Sequence, residues 1–140
     1  MTTAAASSPA YRATPGTLHT ILLAGSVSLF LGAMLNDIAY FRTYEIQWSN
    51  FASWLIAGGL LFTGLALLFA LVNLFRKAGR SWLYFLLLLV TWALGLINAF
   101  EHAKDAWAAM PLGLILSVVV TLLSIAATWV GLNPRERGVK

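Results

Sequence analysis

The strongest constraint on this chain is that four long segments contain no Asp, Glu, Lys or Arg. They are Ala13–Asn36, Ile46–Phe75, Ser81–Phe100 and Ala106–Pro134. A helix needs about 20 apolar residues to cross about 30 Å of hydrocarbon. A strand facing lipid would leave its backbone N–H and C=O groups without hydrogen-bond partners. The sequence therefore predicts an all-α, polytopic membrane protein, with spans at about residues 18–40, 51–75, 82–100 and 111–131.

Composition excludes most soluble classes of protein. The 140 residues are 60% hydrophobic and 10% charged, whereas a soluble domain is about half apolar and about a quarter charged. The chain has no cysteine, which excludes disulfides, thiolate metal sites and cysteine nucleophiles. The net charge of +4 raises the question of nucleic acid. We expect no such partner, because the basic turn RKAGR is short and has no aromatic residues interleaved on its wet side.

The basic residues predict an orientation, because loops on the cytoplasmic side carry an excess of Lys and Arg. Four spans put both termini and the loop between spans 2 and 3 on one side. That side holds seven basic residues: Arg12, Arg76, Lys77, Arg80, Arg135, Arg137 and Lys140. The opposite side holds two, Arg42 and Lys104. We therefore expect a four-helix transmembrane bundle with both termini in the cytoplasm.

The domain organisation follows from the spans. Residues 1–17 are small, polar and Pro-containing and are expected to form a disordered tail. Residues 18–131 form the transmembrane domain, and residues 132–140 form a basic C-terminal tail. A secretory signal is the alternative for the N-terminus. However, Arg12 is the tail's one positive charge, and the apolar run after it is as long as a span.

Small residues recur every four positions on three spans, which is typical of close helix packing in lipid. The stripes are Ala24, Ser28, Gly32 and Asn36 on span 1; Gly59, Thr63, Ala66, Ala70 and Asn73 on span 2; and Gly113, Ser117, Thr121, Ser124 and Thr128 on span 4. Span 3 is bulkier and is expected to face lipid or another subunit. The stripes also resemble pore linings, but buried hydroxyls can bond to the preceding turn without any substrate.

A polar cluster follows span 3 in the segment NAFEHAKDAW. Asn98, His102 and Asp105 share one face if the helix continues outward by a turn. Glu101 flanks that face, and Lys104 can pair with it. Imidazole and carboxylate groups can bind Zn²⁺ or relay protons. The alternative, a self-paired charge cluster that ends a hydrophobic helix, is preferred here, and we predict no metal site.

Asp37 lies near the outer end of span 1, with apolar residues on both sides of it. A carboxylate at that depth is costly and usually faces the bundle interior or a partner. His102, Arg42 and Lys104 are the candidate partners. We expect Asp37 to meet the face that begins at Asn98, either to anchor span 1 to span 3 or to handle protons or ions.

The two histidines predict no shared haem. His19 begins span 1 on the cytoplasmic side, whereas His102 lies on the outer side, across about 30 Å of bilayer. Two axial histidines must face the same iron. A pairing of His102 with Met34 or Met110 stays open as an alternative, although methionine is usually a packing residue. We predict no cofactor.

The turn between spans 2 and 3 predicts contact with the bilayer surface. Its basic residues are Arg76, Lys77 and Arg80. Each charge near anionic lipid contributes about 1 kcal/mol of attraction. The lipid bilayer is therefore the first expected partner of the chain.

Several segments resemble a known family. They are LH opening span 1, GAMLNDIAY closing it, ASWLIAGGLLFTGLALLFALV, LINAFEHAKDAW and PLGLILSVVV. Over residues 17–132 the chain resembles the bacterial four-span membrane proteins of domain-of-unknown-function family twenty-two thirty-one. The resemblance implies a multi-pass protein of the bacterial inner membrane. It implies no established activity.

The resemblance also concerns histidines. The family typically has a His-Pro pair, a second histidine in a VHFP segment and another early in span 3. His19 matches the first histidine, and Thr20 replaces its proline. Ala24 and Ser26 stand in place of the second histidine and its proline, and Tyr84 in place of the third. Relative to the family pattern, this chain keeps the scaffold and lacks most of the histidines.

The sequence thus predicts a non-catalytic integral membrane protein, either an accessory subunit or a homo-oligomer, and not an enzyme. No HExxH, GxSxG or phosphate-binding loop occurs in it. Two alternatives stay open. One is a small transporter or proton path through Asp37. The other is a redox, haem or metal-linked membrane protein using His102 or His19.

Overall fold

The computed structural model describes residues 16–75, 82–104 and 106–133. It contains the long helices α1 (Thr17–Thr43), α2 (Ile46–Phe75), α3 (Trp82–His102) and α5 (Leu112–Leu132), and the short helix α4 (Ala106–Ala109). All four long helices are long and apolar enough to cross a membrane. The predicted four-span, all-helical fold is therefore confirmed.

The predicted boundaries differ most at the turn between the first two spans. Helix α2 begins at Ile46 rather than at residue 51. Only Tyr44 and Glu45 separate it from α1. Tyr44 ends α1 in the left-handed conformation (φ 56°), and its N–H donates to the Tyr40 carbonyl at 2.8 Å. Its ring stacks on Trp107 of α4 with centroids 5.1 Å apart. This contact joins the turn to the opposite side of the bundle.

Each long helix packs mainly against two neighbours. The packed pairs are α1 with α2, α2 with α3, α3 with α5, and α5 with α1. The four helices therefore surround a common axis, with α1 diagonally opposite α3. Side chains that cross this diagonal meet at the centre of the bundle.

Phe30 fills the middle of the bundle. Its side chain is 1% exposed, and glycines on two other helices make room for it. A Cβ atom on Gly59 of α2 would lie 2.7 Å from the Phe30 ring, and one on Gly95 of α3 would lie 3.5 Å from it. The ring thus occupies the axis at mid-depth, where a side chain at position 59 would overlap it.

Two of the three predicted small-residue stripes face the core. Gly59, Thr63, Ala66 and Ala70 are buried on α2, and Gly113, Ser117, Thr121 and Ser124 are buried on α5. Their small side chains allow the helices to approach closely. The predictions for these two spans are confirmed at those positions.

The stripe predicted on span 1 is wrong at Ala24 and Ser28. Ala24 and Ser28 are exposed, because the buried face of α1 runs through Ser26, Phe30 and Asp37 instead. The Ser28 hydroxyl donates to the Ala24 carbonyl at 2.9 Å, so it needs no partner on another helix. Spacing alone identified a face of small residues but not the face that packs.

The lipid- or subunit-facing role predicted for span 3 stays a prediction, although one face of this helix packs inside the bundle. Helix α3 packs against both α2 and α5. In the apolar stretch that would cross the membrane, 28% of the α3 residues are buried, the same share as in α2. Leu88, Thr91 and Gly95 belong to its buried face. The bulky leucines flank this face and do not prevent it from packing.

Some predictions concern residues outside the described ranges. They include almost all of the N-terminal tail (1–17) and of the C-terminal tail (132–140). The proposed headgroup contacts Arg76, Lys77 and Arg80 and the cluster residue Asp105 also lie there.

Candidate functional site

Asp37 lies at the centre of a polar cluster that joins three helices. It is fully buried, at 0% exposure. Its Oδ1 atom is 2.7 Å from Nε2 of His102 on α3, and its Oδ2 atom accepts a hydrogen bond from the Ser117 hydroxyl on α5. Asp37 therefore crosses the diagonal of the bundle and connects α1 to both α3 and α5.

The second nitrogen of His102 determines how protons are arranged. Nδ1 lies 2.9 Å from the backbone carbonyl of Asn98, one turn earlier in α3. A carbonyl only accepts hydrogen bonds, so Nδ1 carries a proton. Nε2 and Asp37 Oδ1 then share one further proton, as imidazolium and carboxylate or as imidazole and carboxylic acid. In either form the pair has no net charge, which reduces the cost of its burial.

Asn98 closes the cluster into a ring. Its side-chain Nδ2 donates to Ser117 Oγ at 2.8 Å, and the same hydroxyl donates to Asp37. Successive bonds therefore run from Asp37 to His102, to Asn98, to Ser117 and back to Asp37. We call these four residues the Asp37 ring. All four are buried, and His102 is the most exposed at 8%.

Local sequence features position the ring. Asn98 and His102 are one turn apart on α3, so both face the bundle axis. Gly113 on α5 leaves room for the imidazole: a Cβ atom there would lie 3.0 Å from His102 Cε1. The small side chain of Ser117 lets α5 approach the carboxylate closely enough for a direct hydrogen bond.

The structure divides the predicted polar cluster into two parts. Asp37, Asn98 and His102 meet inside the bundle. Glu101 and Lys104 instead pair with each other at 2.6 Å, with the Lys104 side chain 52% exposed. Asp105 lies outside the described residues. Of the three candidate partners of Asp37, the structure brings His102 to it.

Ser117 is the one residue of the Asp37 ring that the sequence did not identify as a candidate site residue. It was predicted only as part of a packing stripe. The usable signal was depth, since Ser117 lies about one and a half turns inside the start of α5, as Asp37 lies inside the end of α1. Depth alone could not show that the two side chains face each other.

A second buried polar pair lies towards the other end of the bundle. The Tyr84 hydroxyl and His19 Nε2 are 2.8 Å apart, with Tyr84 1% and His19 7% exposed. Gly131 provides the space, because a Cβ atom there would lie 2.6 Å from the tyrosine ring. This contact joins α1 to α3 a second time, at the position where the resemblance placed a histidine.

Removing the Tyr84 hydroxyl should destabilise this end of the bundle. In Tyr84→Phe, His19 Nε2 loses a buried hydrogen-bond partner, which typically costs about 1–3 kcal/mol. The free energy of unfolding in mixed micelles measures the change. Trp82→Phe is a suitable control, since Trp82 is exposed and should leave the value nearly unchanged. Equal stability of Tyr84→Phe and the wild type would contradict the assignment.

The two histidines are far apart. His19 and Asp37, the partner of His102, are separated along α1 by about 27 Å (18 residues at about 1.5 Å each). One haem iron cannot bind both histidines of a single chain. Within the described residues, no three His, Cys, Asp or Glu side chains come together as a metal-binding group.

Four apolar helices long enough to span a membrane, joined through buried polar contacts, define a polytopic helical membrane protein. The chain belongs to the family described as "Predicted membrane protein (DUF2231)", whose model matches residues 15–135. Comparisons with curated proteins and with solved structures gave no match. The family description states membrane residence and no activity.

Proposed function

We propose that this protein is a non-catalytic subunit of the bacterial inner membrane, and that the Asp37 ring anchors its helices. The observation that carries the proposal is the closure of the ring. Both carboxylate oxygens and both imidazole nitrogens have partners inside the protein. A general acid or base must reach the group with which it exchanges a proton. The 0% exposure of Asp37 therefore supports an anchoring role.

The outer surface supports a role in assembly. Large apolar side chains are exposed on every long helix, among them Leu35, Leu61, Ile97 and Leu122. In the membrane this surface contacts lipid, and part of it can contact another subunit through close packing. We propose that the protein acts through this surface, as a homo-oligomer or as an accessory subunit of a membrane complex.

Native mass spectrometry of the protein extracted in mild detergent tests the assembly role. We expect a defined oligomer or a stoichiometric complex with one other membrane protein. Extraction across a range of detergent concentrations is the control, because a specific assembly keeps its stoichiometry. A chain that is strictly monomeric and without partner in every condition would contradict the proposal.

A proton path is the second candidate function, and the shared proton between Asp37 and His102 favours it. Ionisable residues inside membranes often mark proton relays. Phe30 argues against it, because its buried ring occupies the bundle axis and packs against Gly59. Proton flux into liposomes distinguishes the two functions. Under the anchoring proposal, wild type, Asp37→Asn and the control Ser28→Ala give the same flux as empty vesicles. Flux that requires Asp37 would favour the relay.

The redox alternative has a direct test on the same preparation. An absorption spectrum and metal analysis of the detergent-extracted protein should show no haem band and no stoichiometric metal if the subunit proposal is correct. A chromophore or metal that is lost in His102→Ala or His19→Ala would favour the redox role instead.

The proposed orientation places both termini in the cytoplasm. The absence of cysteine allows single cysteines to be introduced and labelled in intact cells. We expect a membrane-impermeant maleimide to label Thr43→Cys, at the exposed last residue of α1, from outside. Ser8→Cys, in the N-terminal tail, should be labelled only after the cells are opened. The reverse pattern would overturn the orientation predicted from the basic residues.

A further inference from the structure

The side-chain oxygen of Asn98 is the unsatisfied atom of the Asp37 ring. Asn98 is 0% exposed, and no hydrogen-bond donor of the described residues reaches its Oδ1 atom. Most buried polar atoms in proteins have a partner, either a protein group or an ordered water molecule. A buried amide oxygen without a donor inside a membrane-spanning bundle therefore points to a ligand.

The amide group cannot satisfy this oxygen by rotating. The Ser117 hydroxyl has one proton, and it is donated to Asp37 Oδ2. Ser117 Oγ can then only accept from the amide, so Asn98 must present Nδ2 to it, at 2.8 Å. A flipped amide would place two acceptors against each other. The orientation of Oδ1 is thus fixed by the direction of the other hydrogen bonds in the ring.

The ligand must donate a hydrogen bond, and the surroundings favour one without charge. The Asp37–His102 pair shares one proton and has no net charge, so nothing in the ring attracts a cation strongly. Within the described residues, no third acidic, histidine or cysteine side chain joins it to form a metal site. Water meets both requirements. It is also the ligand that buried polar groups most often bind.

We propose that Asn98 Oδ1 binds one internal water molecule, which is a fifth member of the Asp37 ring. Such a water would satisfy the orphaned amide oxygen. This inference goes beyond the anchoring role, since an anchor could equally be dry.

A structure at a resolution that shows ordered water tests the site directly. We expect density within hydrogen-bond distance of Asn98 Oδ1 in the wild-type protein. Thr91 is the internal control: it is equally buried on the same helix, but its hydroxyl already donates to the Leu87 carbonyl at 2.6 Å. No water is expected beside it. A dry Asn98 Oδ1, or one bonded to a protein donor, would overturn the proposal.

Infrared difference spectra provide a second measurement in membranes. Exchange of H₂¹⁶O for H₂¹⁸O should shift an O–H stretching band of the bound water. We expect the shift in wild type and in Thr91→Val, and its loss in Asn98→Leu. If Asn98→Leu does not fold, the wild-type and Thr91→Val spectra still decide, because the absence of any shifted band in both excludes an internal water.

The water proposal and the anchoring proposal can fail separately. A ring without water would leave the anchoring proposal intact. Proton flux through Asp37 would contradict anchoring without affecting the water site.

Discussion

Replacement of Asp37 with alanine is expected to destabilise the protein by about 3–5 kcal/mol, the cost of removing one partner from a buried pair. The Asp37 carboxyl group is hydrogen-bonded to His102 and accepts from Ser117, and both partners are buried. In Asp37→Ala, the imidazole faces an apolar cavity at Nε2, and the Ser117 hydroxyl loses its acceptor. Because the pair also joins α1 to α3 across the bundle, its loss should loosen helix packing well beyond the site.

The free energy of unfolding in mixed micelles, measured as the fraction of denaturing detergent is raised, checks this expectation. Ser28→Ala is the matched control, since Ser28 is on the same helix, is exposed and donates to the Ala24 carbonyl one turn earlier. It should change stability by only a few tenths of a kcal/mol. If Asp37→Ala were as stable as Ser28→Ala, the carboxylate would not anchor the bundle.

Replacement of Gly59 with leucine is expected to destabilise the protein by about 3 kcal/mol, at the upper end of the range for overpacked cores. Even the first added carbon would lie 2.7 Å from the Phe30 ring. Phe30 is only 1% exposed, so its ring has little free space into which to move. Leucine favours a helix over glycine by roughly 0.5–1 kcal/mol, which offsets only part of this loss.

Two variants make the Gly59 prediction specific. Gly16→Leu adds the same side chain where nothing lies within 4 Å of the added Cβ atom, and it should be tolerated. Phe30→Ala combined with Gly59→Leu should be less destabilised than the sum of the single changes. Removal of the Phe30 ring makes space for the leucine, and the leucine fills the cavity that the ring leaves. Strict additivity of the two changes would show that Phe30 and Gly59 do not share the space assigned to them.

The sequence predicted the spans well because the bilayer imposes a length and a composition that can be read directly from the residues. It also indicated that Asp37 would face a partner, since a carboxylate among apolar residues in a membrane has few alternatives. His102 was among the named partners because it lies at the matching depth.

The rotation of the helices could not be predicted in the same way. Small residues occur on more than one face of α1, and only the packed structure shows that Ser26 rather than Ser28 faces the core. The role of Ser117 depends on the same information, because its hydroxyl acts on Asp37 only when α5 is rotated towards α1. The pattern of side-chain types indicates how deep in the membrane a residue lies. The side of the helix that faces the core is determined by contacts with the other helices.

The central claim is that Asp37 and His102 act as one structural unit across the bundle, and a double-mutant cycle tests it most directly. The free energy of unfolding is measured for wild type, Asp37→Leu, His102→Leu and the double variant in the same lipid mixture. The anchoring account predicts that the double variant is more stable than the sum of the single losses implies, by about 1–3 kcal/mol, since each single change leaves an unpaired buried group. Additive losses, with no coupling between the two positions, would contradict it.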